Sequence, residues 1–258
     1  MPNTALITGA SAGIGRAFAK YHASKGGDMI VTARRAEELD ALKAEIEAEH
    51  NVTVTTIAHD LGGVEGARGL YAKVKETGQQ IDILINNAGF GGHGEFLDRN
   101  LDDDIAMIDL NVKSLITLCH LIGKDMVAQG GGKILNVSST AAYMPGPLQA
   151  TYFATKAYVS SFSQALAEEL KDKKVTVTAL EPGYVETEFA ARANLEGVNL
   201  VKGGGATPAS AAKYGYDAMR RAELRAINDG KLRFMLNWLV PFMPRWSVLK
   251  MVRGMQTK

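Results

Sequence analysis

Short, nearly all-apolar runs rich in β-branched residues alternate along this chain with longer runs of helical character. That alternation constrains the fold more than any other feature. The order is TALI, a helix to about Ser24, MIVTA, the helix AEELDALKAEIEAEH and VTVTTIA, and later IDILI, KILNV and VTVTAL. In the second helix Leu39, Leu42 and Ile46 recur at helical spacing, while acids fill the first turn, where the positive end of the helix dipole favours them. Strands that are apolar throughout need cover on both faces, and intervening helices supply it. The expected fold is therefore α/β, a doubly wound parallel sheet with helices on both faces. A chain of 258 residues, 46% hydrophobic, can bury such a core. No repeat, low-complexity tract or Pro/Gly/Ser linker marks a boundary, so residues 1–258 are expected to form one catalytic domain. Two segments fit the alternation less well. Residues 189–207, FAARANLEGVNLVKGGGAT, begin helically and end in a glycine run, as suits a loop covering a substrate. The tail 231–258 holds six Lys or Arg, no Asp or Glu, and both tryptophans. A final strand is expected near residues 232–236, followed by helical segments covering the pocket or docking on another subunit.

A formal net charge of +1 offers no electrostatic reason to propose a nucleic-acid partner, which leaves a small-molecule function. Cys119 is the only cysteine, so no internal disulfide or multi-cysteine metal site can form. No metal site is expected. Cys119 lies in the apolar run LITLCHLIG, where helix packing suits it better than nucleophilic duty. The amino terminus reaches a strand-like run within a few residues, without the pattern of a secretion signal. No uninterrupted apolar run approaches the roughly 18 to 20 residues that span a membrane. A cytoplasmic protein is the expectation.

The segment TALITGASAGIGRAFAKYHA places Thr8, Gly9, Gly13 and Gly15 between a strand and a helix. Glycines there permit a tight turn and let backbone amides approach a pyrophosphate at the helix amino terminus. The spacing G-x-x-x-G-x-G differs from the G-x-G-x-x-G dinucleotide fingerprint, although its strand, turn and helix context is present. At the end of the second strand an NAD site commonly offers an acid to the ribose hydroxyls. Here Ala33 stands in that place, followed by Arg34 and Arg35. Two guanidinium groups can hold a 2′-phosphate, and the missing carboxylate removes a repulsion, so NADP(H) is preferred over NAD(H). The alternative is that both arginines are solvated charges beside an acid-rich helix. Arg16 is either a third contact or another surface charge.

Several motifs then follow in one order: TGASAGIG at 8–15, HDL at 59–61, NNAG at 86–89, DLNV at 109–112, NVSS at 136–139, YFATK at 152–156 and EPGYVET at 181–187. Together they resemble the short-chain dehydrogenase/reductase family over roughly residues 3–190. The resemblance implies a Rossmann-type sheet of about seven strands and NAD(P)-dependent carbonyl–alcohol chemistry. By the same resemblance, Gly9, Ser11, Gly13, Ile14 and Gly15 cradle the pyrophosphate, Asp60 and Leu61 flank the adenine, and Asn87, Ala88 and Gly89 line the cofactor. Pro182, Gly183, Val185 and Thr187 meet the nicotinamide end, and Asn111, Ser139, Tyr152 and Lys156 are the catalytic set. A homo-oligomer, tetramer or dimer, is implied too, with the helices after Asn100 and after Tyr152 pairing across subunits.

Carbonyl reduction needs a hydride at carbon and a proton at oxygen. Tyrosine, with an ordinary pKa near 10, ionises at a cost that a nearby cation lowers. Tyr152 and Lys156, four apart, share a helix face, so the ammonium is expected to favour the phenolate. Lys156 is also expected to touch the nicotinamide ribose and relay a proton through a water held by Asn111. Ser138 and Ser139 point to opposite faces of an extended strand end, so one serine faces the substrate oxygen. Ser139, at the 13-residue offset from Tyr152 that the resemblance calls for, is the choice. Tyr143 is expected to line the pocket or sit exposed, and Tyr158 to turn away. His93 is expected to shape or close the pocket without direct chemistry. Gly91 to His93, Ala141 to Pro147, Tyr184 and the 189–207 loop are the expected pocket walls, for an apolar or aromatic carbonyl compound or secondary alcohol. Two alternatives stand beside this oxidoreductase: a regulator that holds NADP(H) without turnover, and a peripheral-membrane reductase of a lipid-like ketone. For the latter, RFMLNWLVPFMPRWSVLKMVRG would meet the membrane surface, a role that Pro241 and Pro244 disfavour by interrupting any long amphipathic helix.

Overall fold

The apolar runs form strands whose two faces are both buried. The computed structural model describes residues 3–258. Its strands are β1 (Ala5–Thr8), β2 (Met29–Ala33), β3 (Val54–Ala58), β4 (Ile83–Asn86), β5 (Gly132–Val137), β6 (Val175–Leu180) and β7 (Arg225–Ala226). All pair in parallel, in the order β3-β2-β1-β4-β5-β6-β7. Consecutive side chains within a strand feed opposite cores. Ile7, Met29, Val31 and Leu135 join Phe18 of α1 (Gly13–Ala23), Leu39, Leu42 and Ile46 of α2 (Ala36–Glu49) and Tyr216 of α9 (Pro208–Arg220). On the other face Leu6, Ile30, Leu84 and Ile134 meet α3 (Gly63–Glu76), α5 (Leu115–Ala128) and α6 (Ala150–Leu170). This is the doubly wound sheet expected from the alternation.

Helix α4 (Leu101–Ile108) runs through a π-helical turn at Asp109–Ser114 into α5. By length and composition Leu101–Ala128 could cross a membrane. Here Leu115, Leu118, Cys119, Ile122 and Met126 pack against the sheet as a core helix does. Cys119 is buried between Asn86 and Asn136, and burial pushes its thiol up to about 12, so packing is its role.

The carboxyl-terminal quarter differs from expectation. The last strand is the two-residue β7, and residues 232–236 are helical. Asp229 explains why: its carboxylate accepts hydrogen bonds from the amides of Lys231 (2.8 Å) and Leu232 (3.0 Å), starting α10 (Gly230–Phe234). Leu232, Leu236 and Val240, four apart, then turn one face inward through a π-helical turn at Met235–Leu239. Pro244 opens α11 (Arg245–Gln256). The 189–207 segment holds two short helices, α7 (Phe189–Arg192) and α8 (Asn199–Lys202).

Candidate active site

In an open parallel sheet the strands' carboxyl ends, at the point where the order reverses, form a crevice. Here β1 and β4 are neighbours although β2 and β3 intervene in sequence, and a cleft of about 900 Å3 opens above them. Its first half is built from the glycine turn. Gly9 has φ +67°, and a Cβ there would lie 2.9 Å from the Ala88 Cα; a Cβ on Gly15 would lie 2.2 Å from the Gly9 carbonyl oxygen. Only glycine fits both positions. The Asn87 amide nitrogen donates to the carbonyls of Thr8 (2.9 Å) and Gly9 (3.2 Å), and the Thr8 hydroxyl accepts from the amides of Asn87 and Ala88. Asn87 therefore shapes the turn as well as lining the cleft. Ala12 gives α1 no side-chain cap, so the first-turn amides at Gly13 and Ile14 face the cleft free to meet an anion.

Gly9, Ser11, Gly13, Ile14, Arg34, Arg35, Asp60, Leu61, Asn87, Ala88, Gly89, Pro182, Gly183, Val185 and Thr187 all line this one cleft. Gly15 lies behind it, under Gly9. Arg35 reaches over the turn, its Nη2 3.2 Å from the Ser11 hydroxyl and 3.3 Å from Glu188. A carboxylate is absent at Ala33, and the uncapped helix, the glycine cradle and the paired arginines together suit a dinucleotide. Among the described residues no cluster of three His, Cys, Asp or Glu could hold a metal.

The second half of the cleft lies between the end of β5 and α6. Ser138 is 2% exposed and donates to the Lys156 carbonyl at 2.8 Å, so it faces the helix backbone. Both serines border the cleft, and Ser139 is the one hydrogen-bonded to the Tyr152 phenol. Lys156 Nζ donates to the Val137 carbonyl at 2.9 Å and lies 5.7 Å from the Tyr152 ring centroid. Burial governs both ionisations. It pushes the Tyr152 phenol up to about 12, against an opposing hydrogen bond from Ser139, and the Lys156 amine down to about 8. The direction of the phenol's shift is therefore set by desolvation, opposite to the lowering expected from Lys156.

Asn111 is not on the cleft surface. It sits in the π-helical turn, accepting from the Phe90 amide (3.1 Å) and donating to the Phe90 carbonyl (2.9 Å) and the Thr155 hydroxyl (3.2 Å). Its carboxamide ties the chain after Gly89 to α6. Tyr143 also departs from expectation. Its hydroxyl donates to Glu181 at 2.6 Å, and Arg225 stacks 4.7 Å from its ring centre, outside the cleft. Tyr158 stacks on Phe162, facing away. His93 does not line the cleft; its Nε2 meets the Gln256 carbonyl at 2.7 Å, pinning the 90–95 loop to the tail.

Of the expected walls, Ala141, Met144, Tyr184, Phe189, Leu195 and Leu200 line the cleft, while Gly91 to His93 and Pro145 to Pro147 do not. The covering segment is anchored at its base, where the Glu186 amide donates to the Ala206 carbonyl and the Ala206 amide to the Tyr184 carbonyl, both at 3.0 Å. Among the lining residues not singled out from the sequence are Val252, Met255 and Gln256 of α11, one of the tail segments expected to cover the pocket or dock on another subunit. The Gln256 Oε1 is buried without a partner. No local pattern marks them, because they reach the cleft by the fold of the tail.

Residues 3–196 match the family described as short chain dehydrogenase. The chain belongs to the short-chain dehydrogenase family. It is 32% identical over 258 residues to a very-long-chain 3-oxoacyl-CoA reductase of Macaca fascicularis, covering 97% of this chain and 78% of that protein. It is 38% identical over 191 residues to a serine 3-dehydrogenase of Agrobacterium fabrum, covering 73% and 74%. A short-chain dehydrogenase from Sphingobium yanoikuyae, solved with NADPH, superposes with a TM-score of 0.84 at 30% identity, over 98% of this chain and 94% of that one. This short-chain dehydrogenase is thus an enzyme, an oxidoreductase with a nicotinamide dinucleotide as cofactor, which sets aside the regulator without turnover.

Proposed function

We propose that the enzyme interconverts a carbonyl compound and a secondary alcohol of apolar character, using NADP(H) in preference to NAD(H), with Tyr152 as proton donor and acceptor. The observation that carries this reading is the convergence of the Tyr152 phenol, the Ser139 hydroxyl and the buried Lys156 amine on one side of a cleft whose other side is an uncapped helix amino terminus. The bound cofactor would supply or accept the hydride. Gly13, Ile14 and the glycine turn would hold its pyrophosphate, and Arg34, Arg35 and Ser11 its 2′-phosphate. Ser139 donates a hydrogen bond to the substrate oxygen as negative charge develops there. Tyr152 gives the proton; its phenol, held neutral by burial, is the form a donor requires. Lys156, brought to about 8, can both take and release a proton near neutral pH, which suits it to return one to Tyr152. Asn111 acts as a positioning residue that holds Phe90 and α6 in register.

The substrate half of the cleft, with Met144, Phe153, Phe189, Leu195 and Leu200, favours an apolar substrate. The name of the 3-oxoacyl-CoA reductase relative fits a ketone on a long chain. Exposed Leu101 and Ile105 on α4, Phe96 and Leu97 in the turn just before it, and Tyr158 on α6 support the homo-oligomer expected from the same helices. The test is turnover of a carbonyl panel with NADPH and with NADH. Reduction of apolar ketones with NADPH favoured is the expected result; NADH-favoured turnover would overturn the cofactor assignment.

A further inference from the structure

We propose that the corner formed by the helical segment 230–242 and α11 docks on an anionic lipid surface. Its inner face is already in use: Leu236, Val240, Val248 and Val252 are buried against Ala141, Phe153 and Ile227. Its outer face carries a second set of large apolar side chains that stay half or more exposed. Phe234, Trp238, Leu239, Phe242 and Trp246 are 60%, 66%, 50%, 81% and 78% exposed. Phe234, Trp238 and Phe242 are four apart along the segment and so form one stripe, which Trp246 extends just past Pro244. Five such residues within 13 positions form a concentrated patch, unlike scattered single exposures.

Charge selects the occupant. The stretch 231–258 holds six of the chain's 29 Lys and Arg and none of its 28 Asp and Glu. Arg253 pairs with Glu95; among the described residues Lys231, Arg233, Arg245, Lys250 and Lys258 make no ion pair. A second copy of this surface across a two-fold axis would set cations against cations with no acid of the segment to pair them. An anionic lipid layer complements both features, receiving tryptophans at the headgroup level and cations around them. The segment 230–242 spans only about 20 Å, too short to cross a bilayer, so it lies on the surface. Pro241 and Pro244, which break any long amphipathic helix, here make the corner whose apex is the most exposed part. Helix α11 presents Trp246 outward and Val252 and Gln256 into the cleft, so the lipid surface would lie about one helix diameter, ~10 Å, from the substrate pocket.

The two tryptophans are the chain's only ones, so intrinsic fluorescence reports on this patch alone. The experiment mixes the full-length protein with phosphatidylcholine vesicles, with and without phosphatidylserine, at low and high salt, and reads co-sedimentation and tryptophan emission. Blue-shifted emission and co-sedimentation on the anionic vesicles, weakened by salt, are expected. The double variant Phe242→Ser, Trp246→Ser should abolish binding. Arg245→Gln with Lys250→Gln should weaken it on the order of 25-fold, about fivefold per charge. Turnover of a water-soluble carbonyl should be unchanged in both, confirming the fold. No binding to anionic vesicles, equal binding to neutral ones, or binding indifferent to both variants would overturn the proposal. So would a change in oligomeric mass in the Phe242→Ser, Trp246→Ser variant with vesicle binding intact, which would assign the patch to a second copy.

Discussion

Replacing each serine of the 138–139 pair by alanine separates a structural hydroxyl from a chemical one. Ser138 gives one buried hydrogen bond, to a helix carbonyl at 2.8 Å, and removing it costs about 1 kcal/mol. Ser139 accepts from the Ala141 amide at 3.1 Å at the head of the short turn Thr140–Tyr143, and losing that cap also costs about 1 kcal/mol. In a chain of this length either change lowers Tm by roughly 2–4 °C, so thermal melting is expected to rank the two variants together. Turnover is expected to divide them. Ser139→Ala removes a donor aimed at the developing oxyanion and should lower kcat about 100- to 1,000-fold, with cofactor binding retained. Ser138→Ala should keep kcat within a few-fold of wild type. Steady-state kinetics on one ketone, alongside melting curves, supplies the comparison. Equal losses of kcat in two comparably stable variants would refute the assignment of faces at the end of β5.

Arg34→Ala and Arg35→Ala are each expected to raise KM for NADPH about tenfold while leaving KM for NADH unchanged, from the loss of a charge-assisted contact to the 2′-phosphate; parallel shifts for both cofactors would contradict that role. Glu181 supplies a pH test. It is fully buried, hydrogen-bonded by Tyr143 and Ser160 with Arg225 3.2 Å away, and burial pushes its carboxyl up to about 7. A group whose pKa is raised on folding stabilises below its unfolded value and loses that contribution as pH rises through the folded one. From about pH 4.5 to 7 this amounts to ~3 kcal/mol, and Glu181→Gln should remove that part of the slope. Denaturant titrations at pH 5 and pH 8 check it, and an unchanged pH slope in the variant would count against it.

What was legible in the sequence is what local chemistry specifies. The β1 turn could be placed because Gly9 and Gly15 meet steric limits that no other residue satisfies. Strand alternation, which is local, allowed one serine of the pair at the substrate, and the offset from Tyr152 that the family resemblance implies pointed to Ser139; Tyr152 and Lys156 could be paired because helix spacing is local. One miss was a local signal and the others have nonlocal causes. The expected strand at 232–236 gave way to a helix started by Asp229, a capping signal overlooked beside apolar residues, while the true β7 is too short to show a period. Tyr143, expected to line the pocket or sit exposed, is held outside the cleft by Glu181 and Arg225, which β6 and β7 bring together. Val252, Met255 and Gln256 reach the cleft only because α11 folds back across α8. The direction of the Tyr152 shift was missed because a pairwise argument sees Lys156 but not the burial of both groups.

The most direct test of the proposed mechanism is Tyr152→Phe, assayed for NADPH binding and for single-turnover reduction of an apolar ketone. The ring's contacts with Phe153 and Phe189, at 6.2 and 5.4 Å between centroids, are kept without the hydroxyl, so fold and cofactor affinity should hold within about twofold. Loss of the proton donor should slow the chemical step by about 100- to 10,000-fold. A variant that binds NADPH normally and reduces the ketone at a rate near wild type would contradict the account.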